Sequence, residues 1–390
     1  MPLEVAGITC TIGDITHAEE KRMAVSYSIP ATGTLSSNLP TPALTIDLNA
    51  LEDNLACMAR FFEDKPAKLR PHFKTHKCPI LAHKQIEAGA IGMTCAKLGE
   101  AEVLVEAGIS DILIANQIVD SAKIGRLADL ARQSHLIVAV DQADNLRQIS
   151  KAAIGAGSQV RVVIEVDVGL HRCGVQPGQA ALDLARQAAQ SAGIHFAGLL
   201  GYEGHAVQVA DAEQRAHVAR EAMGPLVETA ELIRQAGLPV EIVSAGGTGT
   251  YDITGTFPGV TEIEAGSYPL MDTKYRRLGL PFRNALSLLA TVISTPTPER
   301  AIIDAGLKVL TTENGLPEVT SHLGVALVAL NEEHGRLEVD PIRASLRVGD
   351  RVELIPSHVC TTVNLHDRYY VLQHGRLAEI WPITGRGKSQ

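Results

Sequence analysis

Residues 135–167 read HLIVAVDQADNLRQISKAAIGAGSQVRVVIEVD, and the order of patterns inside this stretch decides the fold. His135–Val140 is a short apolar run, as a strand buried on both faces requires. Asn145–Ala156 repeats its apolar residues at helical spacing and stops before Gly157. Val160–Asp167 is a second apolar run. Strand, amphipathic helix and strand in that order predict a βαβ unit with parallel strands. Working outwards, the same alternation continues in both directions. Strand candidates are Leu44–Asp47, Lys68–Phe73, Ala90–Cys95 and Asp111–Asn116 on one side, and His195–Tyr202, Val240–Ser244 and Thr261–Glu264 on the other. Helical spacing falls at Leu51–Phe62 (with Asn49 as N-cap), Leu98–Ala107, Ala180–Ala189 and Asp211–Ala236. The candidates exceed a closed eight-stranded ring by one, and the short Leu44–Asp47 is the one to set outside it. The expected fold is an α/β protein, a (β/α)8 TIM-like barrel. A doubly wound open sheet competes, but it usually begins on a Gly-rich turn and none follows Asp47.

After residue 280 the helical pattern ends. Short strands are expected at Leu286–Ile293, Arg300–Asp304, Leu337–Val339, Arg351–Ile355, Tyr369–Leu372 and Ala378–Trp381, separated by turn residues such as Asn314-Gly315. The chain therefore divides into residues 1–39, a strap packing on the later strands; residues 40–280, the barrel; and residues 281–390, an all-β domain. Two domains suit 390 residues.

Bulk properties narrow the function classes. Charged residues make up 20 % and the net charge of −9 carries no Lys/Arg cluster, which argues against nucleic acid and anionic lipid as partners. No apolar run reaches the length of a membrane span. Glu4, Asp14, Glu19 and Glu20 interrupt the start, unlike a signal peptide, and the six cysteines lack paired spacing. The expectation is a soluble cytoplasmic protein with reduced thiols.

Four segments carry chemistry. Arg70-Pro71-His72-Phe73-Lys74-Thr75-His76-Lys77 sits where a strand runs into its loop, and in a barrel that strand end faces the active site. Cations crowded around an amine favour its neutral, carbonyl-attacking form; a solvated basic loop is the plainer alternative. Ser244-Ala245-Gly246-Gly247-Thr248-Gly249-Thr250 follows a late strand, where small residues let backbone N–H groups close on a phosphate. Ala265-Gly266-Ser267-Tyr268 ends the next strand. An early lysine and a late phosphate cup suit pyridoxal phosphate. Asp167–Gly174 places Arg172 at another strand end, able to orient a cofactor oxygen or to be an ordinary surface arginine. In Pro356-Ser357-His358-Val359-Cys360, residues i and i+2 of a strand share a face, so His358 and Cys360 can hold one ion, zinc above magnesium or calcium. Isolated, that pair reads more readily as a half-buried histidine beside a packed cysteine.

Together these segments resemble the D-threonine aldolase / D-serine dehydratase family, alanine-racemase-like pyridoxal-phosphate enzymes with a C-terminal β domain. The likeness runs from Thr41-Pro42 to the end, including Asp304-Ala305-Gly306-Leu307-Lys308 and Trp381–Gly387. It implies Lys74 as the Schiff-base residue and Arg172 on the cofactor. It further implies Gly246, Gly247, Thr248, Gly266 and Ser267 at the phosphate, and Tyr202 beside the ring. The family's divalent metal is bound by a histidine and a second ligand two residues on, typically aspartate in the aldolases and cysteine in the dehydratases. Cys360 follows the dehydratases, whereas its frame, with Asn364-Leu365-His366-Asp367, looks like the aldolases. Tyr202-Glu203-Gly204-His205 departs from the aldolase pattern.

The resemblance implies a lyase for small D-3-hydroxy amino acids, a homodimer with sites near the interface, using pyridoxal phosphate and a divalent metal (zinc, with manganese or magnesium as alternatives). In the aldolase reading the metal on His358 and Cys360 acidifies the 3-hydroxyl, a base (His205 or a metal-bound hydroxide) takes its proton, and Cα–Cβ cleavage gives glycine and an aldehyde. In the dehydratase reading Lys74 takes the Cα proton and a 2-oxo acid and ammonia result. An amino-acid racemase and a catalytically silent pyridoxal-phosphate carrier are weaker, since neither needs the metal pair; a phosphate-binding barrel without a Schiff base is a further alternative, excluded by a visible absorbance band that vanishes on borohydride reduction.

Overall fold

The computed structural model describes residues 29–390; Cys10 and residues 1–28 of the expected strap lie outside them. Eight parallel strands form the first sheet: β2 (Lys68–Leu69), β3 (Met93–Cys95), β4 (Asp111–Ile114), β5 (His135–Val140), β6 (Val160–Glu165), β7 (Ile194–Gly201), β8 (Ile242–Ala245) and β9 (Glu262–Ile263). Their order, β2-β9-β8-β7-β6-β5-β4-β3, leaves β2 and β3 as the two ends. Those ends meet. Ile91 N donates to Leu69 O at 2.9 Å, Thr94 N to Pro71 O at 2.9 Å, and His72 and Thr94 form a parallel bridge, so the sheet closes into a barrel. Leu113, Ile137, Ala139, Val163, Ala197 and Ile242 fill its interior, as the packed centre of such a barrel requires.

Helices cover the outside and follow local signals. Helix Ala143–Ala156 ends on Gly157, whose φ of 64° is the left-handed conformation that glycine adopts without a Cβ clash. Helix Ala212–Gln235 starts on Asp211, whose side chain accepts from Gln214 N at 2.8 Å. The first helix starts earlier than its spacing suggests. It spans Leu48–Phe62, and Asp47, not Asn49, is the cap, accepting from Ala50 N at 3.0 Å.

Leu44–Asp47 lies outside the ring, as β1 (Ala43–Asp47), but it belongs to the second domain. There it pairs antiparallel with β10 (Leu286–Thr297) and parallel with β16 (Arg368–Gln373). The rest of this nine-stranded sheet comprises β11 (Arg300–Ile303), β12 (Glu318–Val319), β13 (Val325–Leu330), β14 (Gly335–Val339), β15 (Arg351–Ile355) and β17 (Arg376–Pro382). Residues 33–39 lie on the β16–β17 hairpin and the start of β15: Gly33 N donates to Leu377 O, Ser36 N to Gly375 O, and the Arg351 guanidinium of β15 to the Ser37 and Leu39 carbonyls. The second sheet also reaches the barrel, since Tyr369 Oη donates to His76 O at 2.7 Å and Gly385 N to Lys77 O at 2.9 Å. These contacts hold one end of the β domain over the loop that carries Lys74. Among the described residues no helix is long and apolar enough to cross a membrane.

Candidate active site

Between the C-terminal ends of the barrel strands and the β domain lies a cavity of about 560 Å³. Lys74, Arg172, Tyr202, Gly246, Gly247, Thr248, Gly266, Ser267, His358 and Cys360 all line it. His205 does not: it is exposed on the turn after β7, with its ring near Gly169.

The basic run at residues 70–77 is built differently from a cation cluster. Arg70 is buried and paired with Glu262 at 3.1 Å and Asp111 at 2.5 Å, and buried Lys77 pairs with Glu100 at 2.6 Å. Burial pushes the His76 imidazole down to about 3, where it stays neutral against Gln85. Burial, with Lys74 nearby, likewise holds His72 well below the ordinary histidine range. The charges flanking Lys74 are therefore spent on carboxylates or absent, because isolated charges are too costly to bury. From Pro71 to Cys78 the chain is buried except at Lys74 and its last half-turn is a 3-10 helix, Phe73–Thr75, that His72 caps. The result aims one amine into the cavity.

The loop after β8 is shaped for an anion. Gly246 N is taken up by Glu203 at 3.0 Å and Gly247 N by Thr250 Oγ1 at 3.2 Å. The N–H groups of Thr248, Gly249 and Gly266 have no acceptor among the described residues. Thr248 Oγ1 accepts from Ser267 N at 2.9 Å and Tyr268 N at 3.1 Å, leaving its own proton to donate. Close approach is enforced as well: a Cβ on Gly249 would lie 1.8 Å from Val207 O, and one on Gly266 would lie 2.6 Å from Thr75 Oγ1. Three spare backbone donors and a hydroxyl fit a phosphate dianion, so these residues fit pyridoxal phosphate.

Opposite this cup, the Arg172 guanidinium stands 5.4 Å from the Tyr202 ring centroid and 3.6 Å from Glu165. Glu165 also accepts from Gln117 Nε2 at 2.5 Å. Burial pushes the Glu165 carboxyl up, with Gln117 and Arg172 pulling the other way. Glu264, at the end of β9, accepts from Ser244 Oγ at 2.8 Å; burial raises its carboxyl to about 8, against the pull of Ser244 and Lys74. Glu165, Glu264 and Glu203 have no motif of their own. Their one signal is position: each stands at or just past the C-terminal end of a barrel strand.

His358 and Cys360 are not on a strand. His358 is the extended N-cap, with φ −144° and ψ 121°, of the short helix Val359–Val363, and Cys360 sits in its first turn. Both side chains nonetheless line the same cavity, and Cys360 Sγ reaches Thr75 Oγ1 of the Lys74 loop at 3.4 Å. Burial opposes charge on both groups, yet each stabilises the other's ion: the imidazole rises to about 9 and the thiol falls. Nδ1 of His358 contacts Glu313 Oε1 at 2.6 Å, leaving Nε2 for an ion. An imidazole and a readily formed thiolate fit a soft divalent cation. Among the described residues no group of three or more His, Cys, Asp or Glu could hold a metal.

This chain is similar throughout to known proteins. The family profile for the alanine racemase N-terminal domain matches residues 46–269, and that for a putative serine dehydratase domain matches residues 285–372. A D-threonine aldolase from Arthrobacter sp. is 41 % identical, over 91 % of this chain and 94 % of its own length. The crystal structure of a D-threonine aldolase from Filomicrobium marinum superposes with a TM-score of 0.89 at 37 % identity, covering 92 % of this chain and 99 % of that one. The D-threo-3-hydroxyaspartate dehydratase of Delftia sp. HT23 superposes with a TM-score of 0.82 at 30 % identity, covering 90 % and 98 %, and a variant of it is known in a metal-free form. With fold, cavity and sequence in agreement along both domains, the chain belongs to the D-threonine aldolase / D-serine dehydratase family of alanine-racemase-like proteins.

Proposed function

We propose that this protein is a pyridoxal-phosphate- and divalent-metal-dependent lyase that cleaves D-3-hydroxy amino acids to glycine and an aldehyde. The observation that carries the reading is the meeting, in one cavity, of the Lys74 amine from the barrel and the His358–Cys360 pair from the β domain.

Lys74 would carry the cofactor. The N–H groups of Thr248, Gly249 and Gly266 and the Thr248 hydroxyl would hold its phosphate, with Gly246, Gly247 and Ser267 shaping the cup. Arg172 would hold the ring oxygen and Tyr202 would flank the ring. When bound, pyridoxal phosphate supplies the electron sink for bond cleavage at Cα. His358 and Cys360 would hold the metal, zinc by the softness of the thiolate, and its Lewis acidity would favour loss of the 3-hydroxyl proton. The buried neutral His72 and the paired Arg70 and Lys77 leave the substrate-facing charge at Arg172 and the metal pair. His205 has no part in this scheme.

A second reading, dehydration to a 2-oxo acid and ammonia, is favoured by Cys360, the ligand typical of the dehydratases; Lys74 would then take the Cα proton. Incubating cofactor- and zinc-loaded enzyme with D-threonine separates the two. Glycine with acetaldehyde is expected, 2-oxobutyrate with ammonia marks the dehydratase, and D-alanine turnover without either would overturn both in favour of a racemase. The same reading makes the enzyme cytoplasmic and homodimeric. Its support is the free state of Cys57, Cys78, Cys95, Cys173 and Cys360 and the family's habit.

A further inference from the structure

We infer that Glu313 is a positioning residue of the metal pair, fixing the His358 ring so that Nε2 faces the ion. The inference rests on the metal-binding role of His358 and Cys360 proposed above. A histidine that ligates through one nitrogen gains orientation and basicity when its other N–H is held by a carboxylate. His358 has that arrangement: Nδ1 lies 2.6 Å from Glu313 Oε1, and His358 lines the cavity together with Cys360. The same Glu313 oxygen accepts from the Thr361 hydroxyl, one residue past Cys360. One carboxylate thus grips the turn on both sides of the ligands.

The loop bearing Glu313 is itself docked on that turn. Thr311 pairs with the Thr361 hydroxyl at 2.8 Å and the Thr362 hydroxyl at 3.1 Å, and its carbonyl accepts from Ser357 Oγ at 3.0 Å. From the barrel side, Asp272 Oδ2 accepts from Val359 N at 3.1 Å. The backbone is therefore held without Glu313, and what Glu313 adds is the ring's orientation. A surface ion pair with no further role would leave metal binding untouched, because exposed pairs contribute little.

The test is zinc affinity of the cofactor-loaded enzyme, read by competition with a chromophoric chelator. Glu313→Ala is expected to weaken zinc binding by about 10- to 100-fold, the range for removing such a partner. Its cofactor absorbance and its metal-free melting temperature should stay those of the parent. Glu313→Gln, whose amide oxygen still accepts from Nδ1–H, should recover most of the affinity, and Glu333→Gln, on the exposed Lys308 pair, should be neutral. Parent-like affinity in Glu313→Ala, beside a parent that binds zinc and a Cys360→Ala variant that does not, overturns this inference alone. A parent that binds no zinc overturns it together with the metal reading.

Discussion

Glu203 offers the sharpest check on how the phosphate cup is built. Its carboxylate is fully buried and accepts from Gly246 N at 3.0 Å, Thr250 Oγ1 at 2.7 Å and Thr254 Oγ1 at 2.6 Å. Gly246 and Thr250 belong to the loop proposed to hold the phosphate, and Thr254 to the short helix Tyr251–Thr254 that follows it. Glu203→Ala strands them together. Each bond to a charged group contributes about 1.5–3 kcal/mol, while losing the buried charge returns several kcal/mol of desolvation. A net destabilisation of about 3–5 kcal/mol is expected, the size seen when one partner of a buried charged group is deleted. Glu203→Gln behaves differently. Its oxygen keeps Gly246 N, and its NH2 donates to the two threonine hydroxyls, which rotate to accept; the cost falls to about 1 kcal/mol. Urea unfolding of the cofactor-free protein gives both stabilities, and absorbance titration gives cofactor affinity. The alanine variant should lose at least tenfold in affinity and the glutamine variant almost none. Equal effects of the two substitutions would refute the hydrogen-bond account, since it turns on the difference between an empty and a refilled position.

Borohydride reduction followed by peptide mapping should place the pyridoxyl group on Lys74; an adduct on Lys77, Lys97 or Lys308 would refute the assignment. Gly249→Ala puts a Cβ against the Val207 carbonyl, so cofactor affinity should fall by tenfold or more while far-ultraviolet circular dichroism is unchanged; unaltered affinity would show that the loop does not approach the phosphate. Glu264 stays protonated in the fold up to about pH 8, whereas its unfolded counterpart ionises near 4.5. The unfolded chain therefore holds fewer protons between these values, and stability is lost as pH rises through them. Glu264→Gln removes that slope, so in urea unfolding of the cofactor-free protein the variant should gain on the parent from pH 4.5 to 8; parallel curves would refute the burial argument.

The barrel was legible because strands covered on both faces leave short apolar runs, and amphipathic helices between them leave a different period. What the runs do not encode is partnership. Ala43–Asp47 has the same buried character as a barrel strand, and only its pairing with β10 and β16 assigns it to the second sheet. Val325–Leu330 carries an ordinary strand signal between Gly324 and Asn331, and it is absent from the expected strands although its residues announce it. β2 and β9 are two residues each, shorter than expected, although Arg70 N still donates to Ile263 O and Glu264 N to Ala245 O beyond their ends.

The site shows the same division between residue identity and backbone. Lysine, glycines and the His-x-Cys spacing are local signals, and all of them reach the cavity. Glu165, Glu203 and Glu313 act through partners 48, 43 and 45 residues away, and no short-range pattern separates them from surface glutamates. The His-x-Cys spacing predicts a strand, because alternate residues there share a face. The chain instead uses an N-cap. An N-cap side chain leans over the second and third residues of its helix, and Cys360 is the second residue of Val359–Val363. Both backbones bring i and i+2 together, so the spacing foretold the contact without foretelling the conformation. The N-cap solution has a consequence a strand would lack: Val359 N, left free at the helix start, is taken by Asp272 at the end of the barrel. The turn bearing His358 and Cys360 is thereby fastened to the domain that carries Lys74.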